Sequence, residues 1–229
     1  MDYGYVKRNF SELSEEISFL SKKYSPSGVK LVCVTKSATD EEVLALCAAG
    51  AADIGENRPQ MLAKREELLR EAGFFPTLHA IGSIQRNKAR LVVSRAALVH
   101  SLDSIRLAES LNKEALALGI KLPVLIEINS AKEEAKGGIF PDMAESFLNE
   151  ISAFSNLLVS GLMTMGPVSE NIEEMRPYFR LTKKLYDDFN SRYGFAGGGI
   201  LSMGMSDSYR IAIEEGSTLV RVGRRLFIN

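Results

Sequence analysis

The 229-residue chain has no tryptophan, only two cysteines and two histidines, and a net charge of −1. Each scarcity excludes something. With 28 Lys+Arg against 29 Asp+Glu, interspersed along the chain, no global field draws it to nucleic acid. Cys33 lies in an apolar run and Cys47 in a helical pattern, so both read as buried free thiols. His79 and His100 stand far apart in the chain and off any metal-ligand spacing, which leaves zinc and haem without support. No run approaches the roughly 18 apolar residues of a membrane span. The N-terminus, MDYGYVKRNFSELSEE, is charged and has no apolar leader core. These absences predict a cytoplasmic protein with no membrane partner. With no exposed apolar stripe in view, a monomer is expected.

What is present is a rhythm. Asn9 to Tyr24 reads as an amphipathic helix through Phe10, Leu13, Ile17 and Leu20, and is broken at Ser25-Pro26-Ser27-Gly28. Short β-branched runs then alternate with helical patterns. The expected strands are Lys30–Thr35, Ala52–Gly55, Leu78–Ile81, Leu98–Ser101, Val124–Asn129, Leu158–Met163, Ile200–Ser202 and Leu219–Val222. Helices are expected near Asp40–Ala49, Pro59–Ala72, Gln85–Ser94, Ser104–Leu118, Pro141–Phe154, Ile172–Arg192 and Asp207–Glu215. Thr39, Asp103 and Ser206 suit helix caps, and Gly50, Gly73, Gly119 and Gly216 suit helix stops. Such alternation implies a parallel sheet, and about eight repeats closing on themselves make an α/β fold of the (β/α)8 barrel type. No GxGxxG follows the first strand, and no composition break marks a second domain, so residues 1–229 are expected to form one barrel domain. The N-terminal helix is expected to cover the wall where a final helix is missing.

Barrel chemistry sits at the C-terminal ends of the strands. Lys36 ends LVCVTK, and alternation puts Val32, Val34 and Lys36 on one face, so Lys36 is expected at the mouth. A partly desolvated lysine there is a nucleophile for aldehydes; a strand-end lysine that merely reaches for water is the plainer reading. LSMGMSDS ends the seventh strand: Ser202 closes the strand, Gly204 and Met205 can bring backbone close to a ligand, and Ser206 adds a hydroxyl. LVRVG ends the eighth strand with Arg221 and Gly223. Loops after strands seven and eight often bind phosphate. Asn57 can bond a ring hydroxyl, while His79 fits a satisfied core histidine as well as a ligand. Met163 and Met165 can pack on a flat ring or simply fill the core. The triple glycine Gly197–Gly199 reads as a turn, because no helix start follows it. A lysine facing a phosphate site describes pyridoxal phosphate (PLP), and equally a class I aldolase.

The motifs VTK at Lys36, IGEN at Glu56–Asn57, HAIGSIQRNK at His79–Lys88 and HSLDS at His100–Ser104 occur in order. They are followed by VLIEINSAKEEAKGGI at Val124–Ile139, GLMTM at Gly161–Met165, LSMGMSD at Leu201–Asp207 and EEGSTLVRVG at Glu214–Gly223. Over almost the whole chain this resembles the YggS/PROSC family of PLP homeostasis proteins, related to the N-terminal barrel of alanine racemase. The resemblance implies a fold type III barrel with PLP as a Schiff base on Lys36. It implies phosphate contacts from Ser206, the Gly204–Met205 backbone, Gly223 and the residue after it. Arg221 matches an arginine that faces the pyridine nitrogen in the related racemases, and reaching the phosphate is its other option. Three family positions differ: no tryptophan stands at or before Leu78, Ser83 replaces a usual proline, and Arg224 stands where a small hydroxyl residue is usual. Arg224 can give the phosphate a charged contact or only its backbone N–H.

The implied function is a PLP carrier without turnover and without catalytic residues, handing the cofactor to apo PLP-dependent enzymes. The alternative is an amino-acid racemase, which needs a second acid/base opposite the lysine. Tyr209 is the tyrosine nearest the mouth in sequence terms, with surface packing as its plainer role. Lys132 and Lys136, in KEEAKGG after the fifth strand, lie on the expected rim and can receive or pass on PLP.

Overall fold

A computed structural model describes residues 3–25, 28–167, 169 and 171–228. Eight parallel strands close into a barrel in sequence order: β1 Lys30–Val34, β2 Asp53–Glu56, β3 Thr77–Ala80, β4 Leu98–Leu102, β5 Leu122–Glu127, β6 Leu157–Met163, β7 Ile200–Ser202 and β8 Leu219–Val222. β8 closes on β1 with Val32 opposite Arg221. The helices are α1 Gly4–Tyr24, α2 Asp40–Ala48, α3 Pro59–Glu71, α4 Ala89–Val93, α5 Ile105–Leu118, α6 Ala144–Ile151, α7 Arg176–Tyr193 and α8 Tyr209–Glu214. The expected break after α1 falls partly on Pro26 and Ser27, which lie outside the described residues.

Alternation divides the apolar residues into two sets. Val32, Leu98, Leu125, Met163 and Leu219 fill the barrel interior, while Cys33, Ile54, Val99 and Val220 point outward into the layer under the helices. Both cysteines are buried and free. Thr39 caps α2 with a reciprocal pair: its Oγ1 accepts from Glu42 N–H at 3.2 Å, and Glu42 Oε2 accepts from Thr39 N–H at 2.6 Å. Two expected caps differ. Ser104 rather than Asp103 precedes α5, and Ser208 rather than Ser206 precedes α8. In both cases the helix starts one or two residues later than expected.

α1 starts five residues earlier than its apolar spacing suggests, because Val6 is also buried. It packs between α2 and α8 and so completes the helical ring across the β8–β1 seam. Tyr5 donates to Glu42 Oε1 at 2.5 Å, and Asn9 Nδ2 donates to Leu226 O at 3.3 Å and Ile228 O at 2.7 Å. No described helix is long and apolar enough to cross a membrane. The described residues also include no group of three or more His, Cys, Asp or Glu arranged to hold a metal ion.

Candidate functional site

A cavity of about 380 Å³ opens at the C-terminal ends of the strands. Lys36 enters it from the end of β1 and Asn57 from the end of β2; Met205–Ser208 follow β7, and Gly223 and Arg224 follow β8. Met165, Pro167, Ile172 and Met175 form an apolar wall from the segment after β6. Because β8 pairs with β1, residues more than 160 positions apart in sequence become neighbours across the seam.

The two loops that face Lys36 are tightly built. Gly204 has φ +90°, and a Cβ there would lie 2.5 Å from Ala212 Cβ and 2.8 Å from Tyr209 Cα, so only glycine fits. Gly223 lies against the end of β1: a Cβ would come within 2.9 Å of Val34 O, two residues before Lys36. Gly223 N–H donates to Ser206 Oγ at 3.3 Å, and Met205 N–H donates to Ser208 Oγ at 3.2 Å. α8 has only six residues, so the anion-holding capacity of this corner rests on hydroxyls and backbone N–H groups more than on a long helix dipole. Arg224 pairs with Asp207 on the outer lip, where both side chains are exposed.

The lysine's backbone is anchored from below. Thr35 Oγ1 donates to Glu56 Oε1 at 2.6 Å. Arg65, only 1% exposed, donates to the same Glu56 oxygen at 3.2 Å and to Ala38 O at 2.7 Å, and also pairs with Asp40. One side chain thus ties the segments on both sides of Lys36 to the strand that carries Asn57. The lysine side chain itself is exposed, not partly desolvated as expected.

Arg221 lies deeper. It is 4% exposed, donates to Ser202 Oγ, and donates from Nη2 to Thr164 O at 3.1 Å. Burial pushes its guanidinium down to about 10, with the Glu127 carboxylate working the other way, so it stays cationic at neutral pH. Lys36, Asn57, Met205, Ser206, Arg221, Gly223 and Arg224 therefore line one cavity, with Gly204 shaping the loop beneath. Met163, Ser202 and His79 do not line it; they lie in the barrel interior below.

Several residues of interest had no local signature. His100, distant from His79 in sequence, places Nε2 3.0 Å from His79 Nδ1, because both lie on inward positions of adjacent strands. Glu127 is buried at the end of β5, and Asp103 lies half-buried just beyond β4. Burial, then the charge of Asp103, pushes the Glu127 carboxyl up to about 7; burial also raises Asp103. Tyr209 turns outward, its hydroxyl facing Arg225 and Glu16 in the helical layer. Burial and the Glu16 hydrogen bond push that hydroxyl up to about 12.

Residues 9–228 match the family model described as alanine racemase, N-terminal domain. The pyridoxal phosphate homeostasis protein of Aquifex aeolicus is 38% identical over 198 residues, covering 86% of both chains. The structure of PipY from Synechococcus elongatus PCC7942, solved with PLP bound, is 26% identical, covers 97% of this chain and all of PipY, and gives a TM-score of 0.84. Alanine racemase from Corynebacterium glutamicum shares the fold at a TM-score of 0.74 and 16% identity, with this chain covering 61% of it.

Proposed function

The chain belongs to the alanine racemase N-terminal domain family and, within it, to the pyridoxal phosphate homeostasis proteins, and from that membership we propose that it holds PLP on Lys36 as a reversible carrier. The observation that supports this most is one cavity with a primary amine on one side and two hydroxyl- and N–H-rich loops on the other, joined across the β8–β1 seam. PLP supplies an aldehyde that condenses with a primary amine, and a phosphate that needs donors. Lys36 is the amine. Ser206, the Gly204–Met205 backbone and Gly223 are the donors for the phosphate. Asn57, on the neighbouring strand end, is the partner for the ring hydroxyl. Arg221, held by Ser202 Oγ and Thr164 O, would lie nearer the ring than the phosphate, where a fixed cation would disfavour protonation of the ring nitrogen. Arg224, held outward by Asp207, offers the phosphate its backbone N–H until that pair opens.

A carrier is favoured over a racemase by what faces the amine. Among the described residues the ionisable groups lining the cavity are Lys36, Asp207, Arg221 and Arg224, and Asp207 is committed to Arg224. A two-base racemase needs a proton donor opposite the lysine, and Tyr209 faces the helical layer. Transfer to apo PLP-dependent enzymes completes the proposed role.

The test is borohydride reduction of the PLP-loaded protein followed by peptide mapping. The expected result is a bleached visible band and a single label on Lys36, lost in Lys36→Ala, with racemisation at the level of free PLP. Label scattered over surface lysines would overturn the site. Lys36-dependent racemisation well above free PLP would overturn the carrier role.

A further inference from the structure

Beneath the cavity a line of buried polar groups runs the length of the barrel. Arg221 donates to Ser202 Oγ; Ser202 Oγ lies 3.1 Å from His100 Nδ1; His100 Nε2 lies 3.0 Å from His79 Nδ1; and His79 Nε2 lies 3.0 Å from Asp53 Oδ1. Lys30, half exposed at the opposite end of the barrel, donates to the same Asp53 oxygen at 3.1 Å. Ser202 and His100 are fully buried, and His79 nearly so. The two imidazoles meet edge to face, with ring centres 5.2 Å apart.

A carboxylate only accepts, and a guanidinium only donates. Burial opposes ionisation of Asp53, but the hydrogen bonds from His79 and Lys30 prevail and hold its carboxyl below the usual range. His79 therefore carries a proton on Nε2. Burial above all holds His100 well below the ordinary histidine value, so it is neutral and has one N–H. With a single proton on His79 as well, His79 Nδ1 accepts from His100 Nε2–H. His100 Nδ1 is then bare and accepts the hydrogen of Ser202, while a lone pair of Ser202 Oγ takes Arg221. All the donors point away from the cavity, from Arg221 to Asp53.

We propose that Ser202, His100, His79 and Asp53 form a one-way hydrogen-bond relay that fixes the orientation of Arg221 and so sets the cavity's hold on the ring of its ligand. This rests on the PLP reading for the identity of the ligand, though not for the relay itself. These four are positioning residues, since none lines the cavity. They make Arg221 a committed donor with no freedom to pivot toward the phosphate corner. The relay also makes the Asp53 end, where Lys30 meets solvent, part of the determinants of a site at the other end of the barrel.

Two measurements test it. The chain's only histidines are these two, so nitrogen-15 histidine spectra of the ligand-free protein contain four ring nitrogens and need little assignment. The relay requires each ring to carry a single proton, on Nε2. A proton on Nδ1 of either ring, or on both nitrogens of His79, would overturn the relay. In the PLP-loaded protein, Ser202→Ala removes the link next to Arg221 without adding bulk. It is expected to shift the visible band and speed PLP release about tenfold, the loss of one charged hydrogen bond. Asp53→Asn, which touches nothing in the cavity, is expected to move both readouts the same way by less, with circular dichroism unchanged. A wild-type band and release rate in both folded variants would overturn the proposal. Failure of the wild-type protein to bind PLP would sink the functional reading alone, because the histidine spectra still decide whether the relay exists.

Discussion

On the side of the rim built by β7, β8 and β1, the strand ends carry Lys36, Arg221 and Arg224, with glycines bringing backbone N–H groups close. On the side built by β4 and β5 they carry Asp103 and Glu127, two carboxyls that burial makes harder to ionise, Glu127 further so through the charge of Asp103. Both sides occupy the same place in the barrel, so the fold does not assign their charge; the residues at strand ends do. An anion is drawn to the seam and repelled from the far side. Glu127 keeps enough of the field of Arg221 to matter, and it holds its own proton to about pH 7. Burial is the main cause on both sides. It raises the carboxyls and lowers the arginine, so the rim's net charge contrast is smaller than a count of formal charges suggests.

The sharpest way to break the contrast is at the seam. Lys36→Ala is expected to abolish PLP retention after reduction and gel filtration, with the melting temperature unchanged because the side chain is exposed. Next, Gly204→Ala forces a positive φ and a 2.5 Å contact with Ala212 Cβ. It is expected to destabilise the fold by about 1–3 kcal/mol in chemical denaturation and to weaken PLP binding in titration, because the loop moves away from Lys36.

On the acidic side the effect is one of pH. The folded state binds the Glu127 proton more tightly than the unfolded chain, so this group's contribution to stability falls as pH rises from about 4.5 to about 7. His100 works with the opposite slope. Its folded value is lowered, so the unfolded chain takes up the extra proton and stability is lost as pH drops below about 6.5. Glu127→Gln should therefore melt higher than the parent at pH 8 and about the same at pH 4. It should also expose the loss below pH 6.5 that the parent partly masks. Equal melting curves at pH 8 would show that Glu127 pays no ionisation cost. The smallest expected effect is at Lys136, which pairs with Glu133 at 2.8 Å in a loop held by Asn129. Lys136→Ala should slow transfer of PLP to an apo-enzyme by about twofold. An unchanged rate would remove this loop from the route.

Most of the fold was legible because its signals are local. The strands β7 and β8 fall on their expected residues, and the others shift by one or two at an end. Periodicity and helix stops are properties of a few neighbouring residues, and the Thr39 cap of α2, read correctly, shows how short their range is. The cavity's lining was legible for the same reason: a barrel puts chemistry at strand ends, and strand ends can be counted. What escaped depended on register. His79 and His100 look unrelated until β3 and β4 are paired, and Met163 looks like a ring-packing residue until β6 turns it inward. Ser206 misled in a smaller way, since a serine before a helix caps only if the helix starts at once, and α8 starts three residues later.

The seam has a last consequence, for the order of events during synthesis. β1 has no partner on one edge until β8 exists, and α1 is clamped by the carbonyls of Leu226 and Ile228. A nascent chain therefore emerges with β1 and α1 waiting on partners about 190 to 220 residues further along, contacts of very long sequence separation that slow closure. The lysine and the loops that face it meet only at that closure. Competence to hold a ligand thus arrives in a single step, when β8 closes on β1.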